Sequence, residues 1–67
     1  MGIAKVIEIS ASSTKSLEDA IEKGIARATT SVEDVRGAWI KEQKVVVEKG
    51  KIVEFRVDLK VTFVLKE

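Results

Sequence analysis

The fold of this chain is decided by the stretch VEFRVDLKVTFVL, which runs from Val53 to Leu65. Every second residue is apolar, and all but one of the positions between are polar or charged. Strict alternation of this kind predicts a β-strand with one buried face and one exposed face. A strand of this length extends over about 43 Å, so a large apolar surface has to be covered.

Two further segments have the composition of strands. IAKVIEI, Ile3 to Ile9, is rich in β-branched residues and ends at a serine-rich stretch, so we predict a first strand there. Ala38 to Glu48 is predicted to form a hairpin with the closing strand, and Lys49-Gly50 is its turn because glycine readily adopts the positive φ that tight hairpins need.

The strand from Ala38 to Glu48 changes the parity of its apolar positions. Ala38 and Ile40 are even-numbered, whereas Val45 and Val47 are odd-numbered. One extra residue within positions 41–44 would return all four to one face, so we predict a β-bulge there. A simple two-residue turn without a bulge would instead place Lys60 opposite Trp39 and Asp58 opposite Lys41.

A helix is predicted between the first strand and the hairpin, from about Thr14 to Thr30, with Ser13 as its N-cap. Its apolar and small residues recur at spacings of three and four and so share one stripe: Leu17, Ala20, Ile21, Gly24, Ile25 and Ala28. Gly24 in mid-helix costs about 1 kcal/mol relative to alanine. The position therefore indicates a close approach of the helix to the sheet. The order of elements predicts an α+β fold, β-α-β-β, in a single domain of residues 1–67.

The composition excludes several classes of function. The chain has no cysteine, histidine or tyrosine, so it has no thiolate metal site, no disulfide and no imidazole base, and we expect no enzyme. It carries 12 basic and 11 acidic residues, a balance that argues against nucleic-acid binding. No apolar run approaches the roughly 20 residues of a membrane span, and we expect the start of the sequence not to act as a signal peptide. We therefore expect a cytoplasmic protein with no membrane partner.

The predicted helix is too short to cover the predicted hairpin. Seventeen helical residues extend over about 25 Å, far less than the closing strand. A chain of 67 residues without disulfides also needs another source of stability, and oligomerisation is the one left open. We therefore expect other copies of the same chain to cover the remaining apolar surface.

The order strand, helix, long hairpin in under 70 residues resembles the dodecins over essentially the whole chain. The resemblance is carried by four stretches: KVIEI (Lys5–Ile9), LEDAIEKGIARA (Leu17–Ala28), IKEQ (Ile40–Gln43) and the closing VEFRVDLKVTFVL. It implies a three-stranded antiparallel sheet wrapped around one helix, and a hollow shell of twelve subunits, a homododecamer. It also implies a flavin store or buffer that holds FMN, riboflavin or FAD stacked between tryptophans.

The sequence departs from the flavin-binding pattern of that family. Gly37 stands where the stacking tryptophan is expected, and Trp39, the only tryptophan, lies two residues further on the same face. Arg56 replaces a glutamine that binds the flavin ring, and an arginine cannot accept a hydrogen bond. Thr62-Phe63-Val64 replaces Gly-Phe-Arg, whereas Lys44 keeps a basic residue. These changes indicate a branch that kept the shell and altered or lost the flavin pocket.

Three residues are the candidate ligand contacts: Trp39, Lys44 and Arg56. Trp39 either stacks on a planar ligand or packs at a subunit interface. Arg56 either grips an anion or belongs to a ladder of cross-strand charges. The first hypothesis is a shell that stores a flavin-type molecule. The alternative is a structural shell that binds no flavin and instead holds a cation or another ligand. Glu33 and Asp34 are the candidate cation ligands.

Overall fold

The closing strand lies in the middle of a three-stranded antiparallel sheet. The computed structural model describes residues 3–65, whose elements follow in the order β1 (Ile3–Ser13), α1 (Leu17–Ser31), β2 (Val35–Glu48) and β3 (Lys51–Leu65). The strand order in the sheet is β1-β3-β2, with both outer strands antiparallel to β3. The predicted β-α-β-β fold is confirmed.

The core lies between α1 and one face of the sheet. Four alternate residues of β3 are buried in it: Val57, Leu59, Val61 and Phe63. The helix contributes Ala20, Gly24 and Ala28, small residues that share one stripe. A Cβ atom on Gly24 would lie 3.0 Å from Leu59 Cδ1 and 3.1 Å from the Ala11 Cβ atom. The helix therefore approaches the sheet as closely as Gly24 led us to expect.

The helix begins later than the sequence indicated. Ser13 is not the N-cap, because it is still paired with Phe55 at the end of β1. Ser16 is the N-cap, and its Oγ atom accepts a hydrogen bond of 2.9 Å from the amide of Asp19. The buried Ser13 hydroxyl instead donates to the Asp19 carboxylate and accepts from the amide of Lys15. Ser13 thus fastens the start of the helix to the end of β1.

The hairpin closes at Lys49 and Gly50, which both have positive φ, 53° and 76°. The ladder between β2 and β3 shifts register at Ile40/Glu42, which confirms the predicted bulge and makes Lys41 its extra residue. A second shift, at Val46/Val47, leaves Val53 as an extra residue in β3.

The two bulges compensate for each other, and they decide which residues face each other. Trp39 pairs with Lys60, as a simple turn predicts, because the two shifts cancel beyond Lys41. Between the shifts the register is offset by one residue, so Asp58 pairs with Glu42. The expectation that Asp58 faces Lys41 is therefore wrong. A third shift, between Val35 and Gly37, lies near the start of β2.

Both ends of the apolar face remain open to solvent in one subunit. Val53 is 38% exposed and Leu65 is 40% exposed, at opposite ends of the alternating stretch. At the tip of the hairpin, Val47 and Ile52 pair with each other and are 56% and 54% exposed. The helix is thus too short to cover the hairpin, as predicted. Within residues 3–65, α1 has neither the length nor the hydrophobicity needed to cross a membrane.

Candidate functional site

The face of the sheet turned away from α1 is the candidate site, and we call it the polar face. Residues that pair directly across antiparallel strands have their side chains on the same face, so the polar face is organised in rows. Three consecutive rows define it, each with one residue from β1, β3 and β2: Glu8, Lys60 and Trp39; Ser10, Asp58 and Glu42; Ser12, Arg56 and Lys44.

The row of Trp39 combines an aromatic ring with positive charge. Trp39 is 56% exposed, and Lys60 stands directly opposite it. A groove of about 420 Å³ follows this row, with Val6, Trp39, Ile40, Lys41 and Lys60 along its walls; we call it the Trp39 groove. Gly37 precedes Trp39 on the same face, and a Cβ atom there would meet nothing within 4 Å. One side of the indole is therefore left accessible.

The middle row brings two carboxylates together. Asp58 accepts a hydrogen bond of 2.7 Å from the Ser10 hydroxyl, and Glu42 lies opposite Asp58 across the ladder. Two like charges in directly opposite positions repel each other. This row is therefore the part of the polar face that would gain most from a bound cation.

The row of Arg56 is cationic. Lys44 lies opposite Arg56, whose guanidinium pairs with Glu54 over 3.1 Å. Lys44 makes no ion pair among residues 3–65. A concavity of about 690 Å³ extends over this row and the middle row, and both cationic side chains line it. Three carboxylates line the same concavity, those of Glu42, Glu54 and Asp58. Lys44 is therefore the cation here that is best able to bind an anionic group such as a phosphate.

The structure brings two of the three predicted contacts together. Lys44 and Arg56 are direct neighbours across the ladder, whereas Trp39 lies two rows away, about 13 Å along the strands. All three share the polar face. A ligand that touches all three must therefore be elongated.

Two lysines beside Trp39 were absent from the predicted set. Pairing from the turn placed Lys60 opposite Trp39, and this signal was available in the sequence. Lys41 gave no such signal, because alternation does not indicate which way an extra residue in a bulge is directed. In the structure the Lys41 ammonium lies 3.1 Å from the Glu8 carboxylate. That hydrogen bond raises the pKa of Lys41 above its ordinary value of 10.5.

The loop carboxylates suggested as cation ligands are already engaged. Asp34 lies 3.5 Å from the Arg36 guanidinium and has a positive φ of 58°. Glu33 also has a partner. In the described part of the chain, no group of three or more carboxylates is gathered closely enough to hold a metal ion within one subunit.

Comparison with known proteins identifies the family. The Dodecin family model matches residues 3–66. The chain is 35% identical to calcium dodecin of Mycobacterium tuberculosis (strain ATCC 25618 / H37Rv) over 66 residues, which cover 98% of this chain and 93% of the relative. The chain therefore belongs to the dodecin family.

Solved structures of dodecins share the fold. The dodecin from Streptomyces davaonensis superposes with a TM-score of 0.92 at 27% identity, covering 98% of this chain and 97% of that one. The crystal structure of the M. tuberculosis protein superposes with a TM-score of 0.80 at 38% identity. That protein is described as a calcium-chelating immunodominant antigen with a novel calcium-binding site. That match covers 96% of this chain and 91% of the other.

Proposed function

We propose that this chain is a non-enzymatic, cytoplasmic dodecin that assembles into a closed shell of identical subunits and holds a flavin-type molecule on its polar face. One observation carries the proposal: the exposed indole of Trp39 and the cationic pair of Lys44 and Arg56 share that face at a separation of about 13 Å. An elongated ligand with a planar ring at one end and a phosphate at the other matches this spacing.

The shape of the subunit supports assembly. Its radius of gyration is 13.8 Å, whereas a compact chain of this length has a radius of about 11 Å. Its longest dimension is 52 Å. An elongated subunit with apolar residues exposed at both ends of its hairpin gains stability when identical copies cover them. The number of twelve subunits is taken from the dodecins that this chain resembles.

The ligand contacts divide between ring and phosphate. Trp39 supplies an aromatic surface for the isoalloxazine ring, since aromatic rings stack in offset geometry. Lys44 and Arg56 supply charge-assisted hydrogen bonds to a phosphate. Riboflavin, which has the ring without the phosphate, would use Trp39 alone. FMN would use all three.

Titration with riboflavin and FMN tests the proposal, because flavin fluorescence falls when the ring stacks on an indole. We expect the fluorescence of both flavins to be quenched and FMN to bind more tightly than riboflavin. Trp39→Leu should abolish the quenching of both flavins. Arg56→Leu, which removes the charge without supplying the glutamine of the flavin-binding relatives, should weaken the binding of FMN and leave that of riboflavin unchanged. Lys23→Gln, on the helix, is the matched control for lost charge. Unquenched riboflavin and FMN with the wild-type shell would overturn the flavin proposal.

A second candidate is a shell that binds a cation in place of flavin. The similarity to a calcium dodecin favours it, as do Gly37 and Arg56 at the positions of expected flavin contacts. The opposed carboxylates of Glu42 and Asp58 would supply oxygen ligands, and symmetry-related copies could add more. Calorimetric titration with Ca²⁺ tests this candidate. Binding lost in Glu42→Gln but retained in Glu22→Gln would support it, and an absence of binding heat in the wild type would contradict it.

A further inference from the structure

The bulge in β2 directs an additional positive charge toward Trp39. Lys41 is the extra residue, and the ladder resumes on either side of it at Ile40 and Glu42. Its ammonium lies 3.1 Å from Glu8 Oε2, although Glu8 belongs to β1 and β3 lies between. The Lys41 side chain therefore crosses the row of Trp39 on the polar face. β-Bulges commonly re-aim a side chain in this way beside functional sites.

The Trp39 groove consequently has two ammonium groups beside one indole. Lys60 makes no ion pair within the described range 3–65, whereas Lys41 forms an ion pair with Glu8. Lys41 and Lys60 are the two charged residues that line the groove, and the carboxylates of Glu8, Glu42 and Asp58 act electrostatically on Lys41. Val6 and Ile40 add apolar surface, and the volume of about 420 Å³ lies within the range of small-molecule pockets.

We infer that the Trp39 groove selects planar aromatic anions whose negative charge lies on the ring or is attached directly to it. The ring stacks on Trp39, and the charge lies between Lys41 and Lys60. This inference rests on the proposed stacking role of Trp39 and adds the charge that the ring must carry. It differs from the phosphate contact, because Lys44 and Arg56 lie about 13 Å further along the strands.

Glu8 regulates the affinity of the groove by competing for Lys41. Both side chains of the pair are about half exposed, 45% for Lys41 and 53% for Glu8, and exposed ion pairs exchange partners at little cost. An incoming anion can therefore replace the Glu8 carboxylate. Removing the negative charge of Glu8 would free Lys41 for the ligand. Removing the positive charge of Lys60 would lower the affinity of the groove for the anion.

Isothermal titration calorimetry with 2-naphthoate and the neutral 2-naphthalenemethanol tests the inference, since the two probes share a ring system and differ in charge. In low salt we expect the wild-type protein to bind naphthoate about fivefold more tightly than the alcohol. Lys60→Gln should bring this ratio close to one, and Glu8→Gln should increase it. Lys51→Gln, at the start of β3 and outside the groove, is the matched control for a lost positive charge and should leave the ratio unchanged.

Several results would overturn the inference. The wild type could bind the two probes equally, or it could bind neither. The ratio of naphthoate affinity to alcohol affinity could also stay unchanged in Lys60→Gln and Glu8→Gln. Size-exclusion chromatography checks that each variant keeps the wild-type assembly. If Lys60→Gln fails to fold, the increase expected in Glu8→Gln decides the outcome.

The flavin titration separates this inference from the proposed function. Selective binding of naphthoate without binding of riboflavin or FMN would contradict the flavin proposal and support the groove. Binding of both flavins without a preference for naphthoate over the alcohol would contradict the groove and leave the flavin proposal standing.

Discussion

Lys41 donates a hydrogen bond of 3.1 Å to Glu8, although the strands that carry the two residues are separated by β3. Neighbouring strands lie about 4.8 Å apart, so this contact spans almost 10 Å of sheet. The length of the lysine side chain and its direction out of the bulge make the contact possible. It ties both edge strands together over the polar face.

The first prediction concerns the pKa of Lys41. The hydrogen bond to Glu8 raises this pKa above 10.5, so Glu8→Gln should lower it toward that ordinary value. Because the folded-state pKa is raised, the pair stabilises the protein below pH 10.5, and that contribution is lost as the pH rises through the folded-state pKa. NMR titration of the lysine Hε/Cε signals measures the change. Glu54→Gln, which removes the partner of Arg56, is the control and should leave the pKa of Lys41 unchanged.

The second prediction concerns the contact between α1 and the sheet. Alanine at position 24 would gain about 1 kcal/mol of helix propensity, but its Cβ atom would lie 3.1 Å from the Ala11 Cβ atom. Ala11 is fixed to the backbone of β1 and cannot rotate away, and overpacking of a core costs about 1–3 kcal/mol. We therefore expect Gly24→Ala to lower the free energy of unfolding by about 1 kcal/mol net.

Urea unfolding at a fixed subunit concentration measures this effect, since the stability of an assembly depends on concentration. Gly37→Ala is the matched control, because a Cβ atom at that position has open space around it. That variant should be neutral or slightly stabilising. An increase in stability in Gly24→Ala would show that the helix moves away from the sheet at little cost.

The third prediction is a pH dependence at the start of the helix. The Ser13 hydroxyl and the Lys23 ammonium both bond to Asp19, and they lower the pKa of its carboxyl from 3.8. A carboxyl whose pKa is lowered on folding stabilises the protein above the ordinary value, and this contribution is lost as the pH falls through the folded-state pKa. We expect Asp19→Asn to be less stable than the wild type at pH 7.

The difference between Asp19→Asn and the wild type should shrink as the pH falls below 3.8. Thermal unfolding over a series of pH values, at constant ionic strength, provides the measurement. Glu22→Gln is a suitable control, since it removes one acidic charge from the exposed face of the same helix. A gap between Asp19→Asn and wild type that stays constant into acid would contradict the assignment of the effect to the ionised carboxylate.

The sequence predicts the elements better than their ends. Alternation in the closing stretch identified β3, and the stripe from Leu17 to Ala28 identified α1, because burial on one face selects both patterns. The N-cap was assigned three residues too early. Serines stand at positions 12, 13 and 16, and local sequence does not reveal that Ser13 still pairs with Phe55.

The candidate site was predictable only in part. The parity change predicted a bulge within positions 41–44, and the structure places it at Lys41. The compensating bulge at Val53 left no comparable signal, since Val53 continues the apolar alternation of β3. The offset between the two bulges decides that Asp58 faces Glu42. The face shared by Trp39, Lys44 and Arg56 follows from pairing that only the folded sheet determines.

The last prediction concerns assembly at the tip of the hairpin. Val47 and Ile52 face each other there, and both are more than half exposed in one subunit, 56% and 54%. They lie outside the core beneath α1, so a charge at either position should spare the subunit fold and disfavour an apolar contact between copies. We expect Ile52→Glu to shift the protein to smaller species in size-exclusion chromatography with light scattering. Lys49→Glu, in the turn, should keep the wild-type assembly. A folded monomer of the wild type at micromolar concentration would contradict the shell itself, together with every ligand site that depends on it.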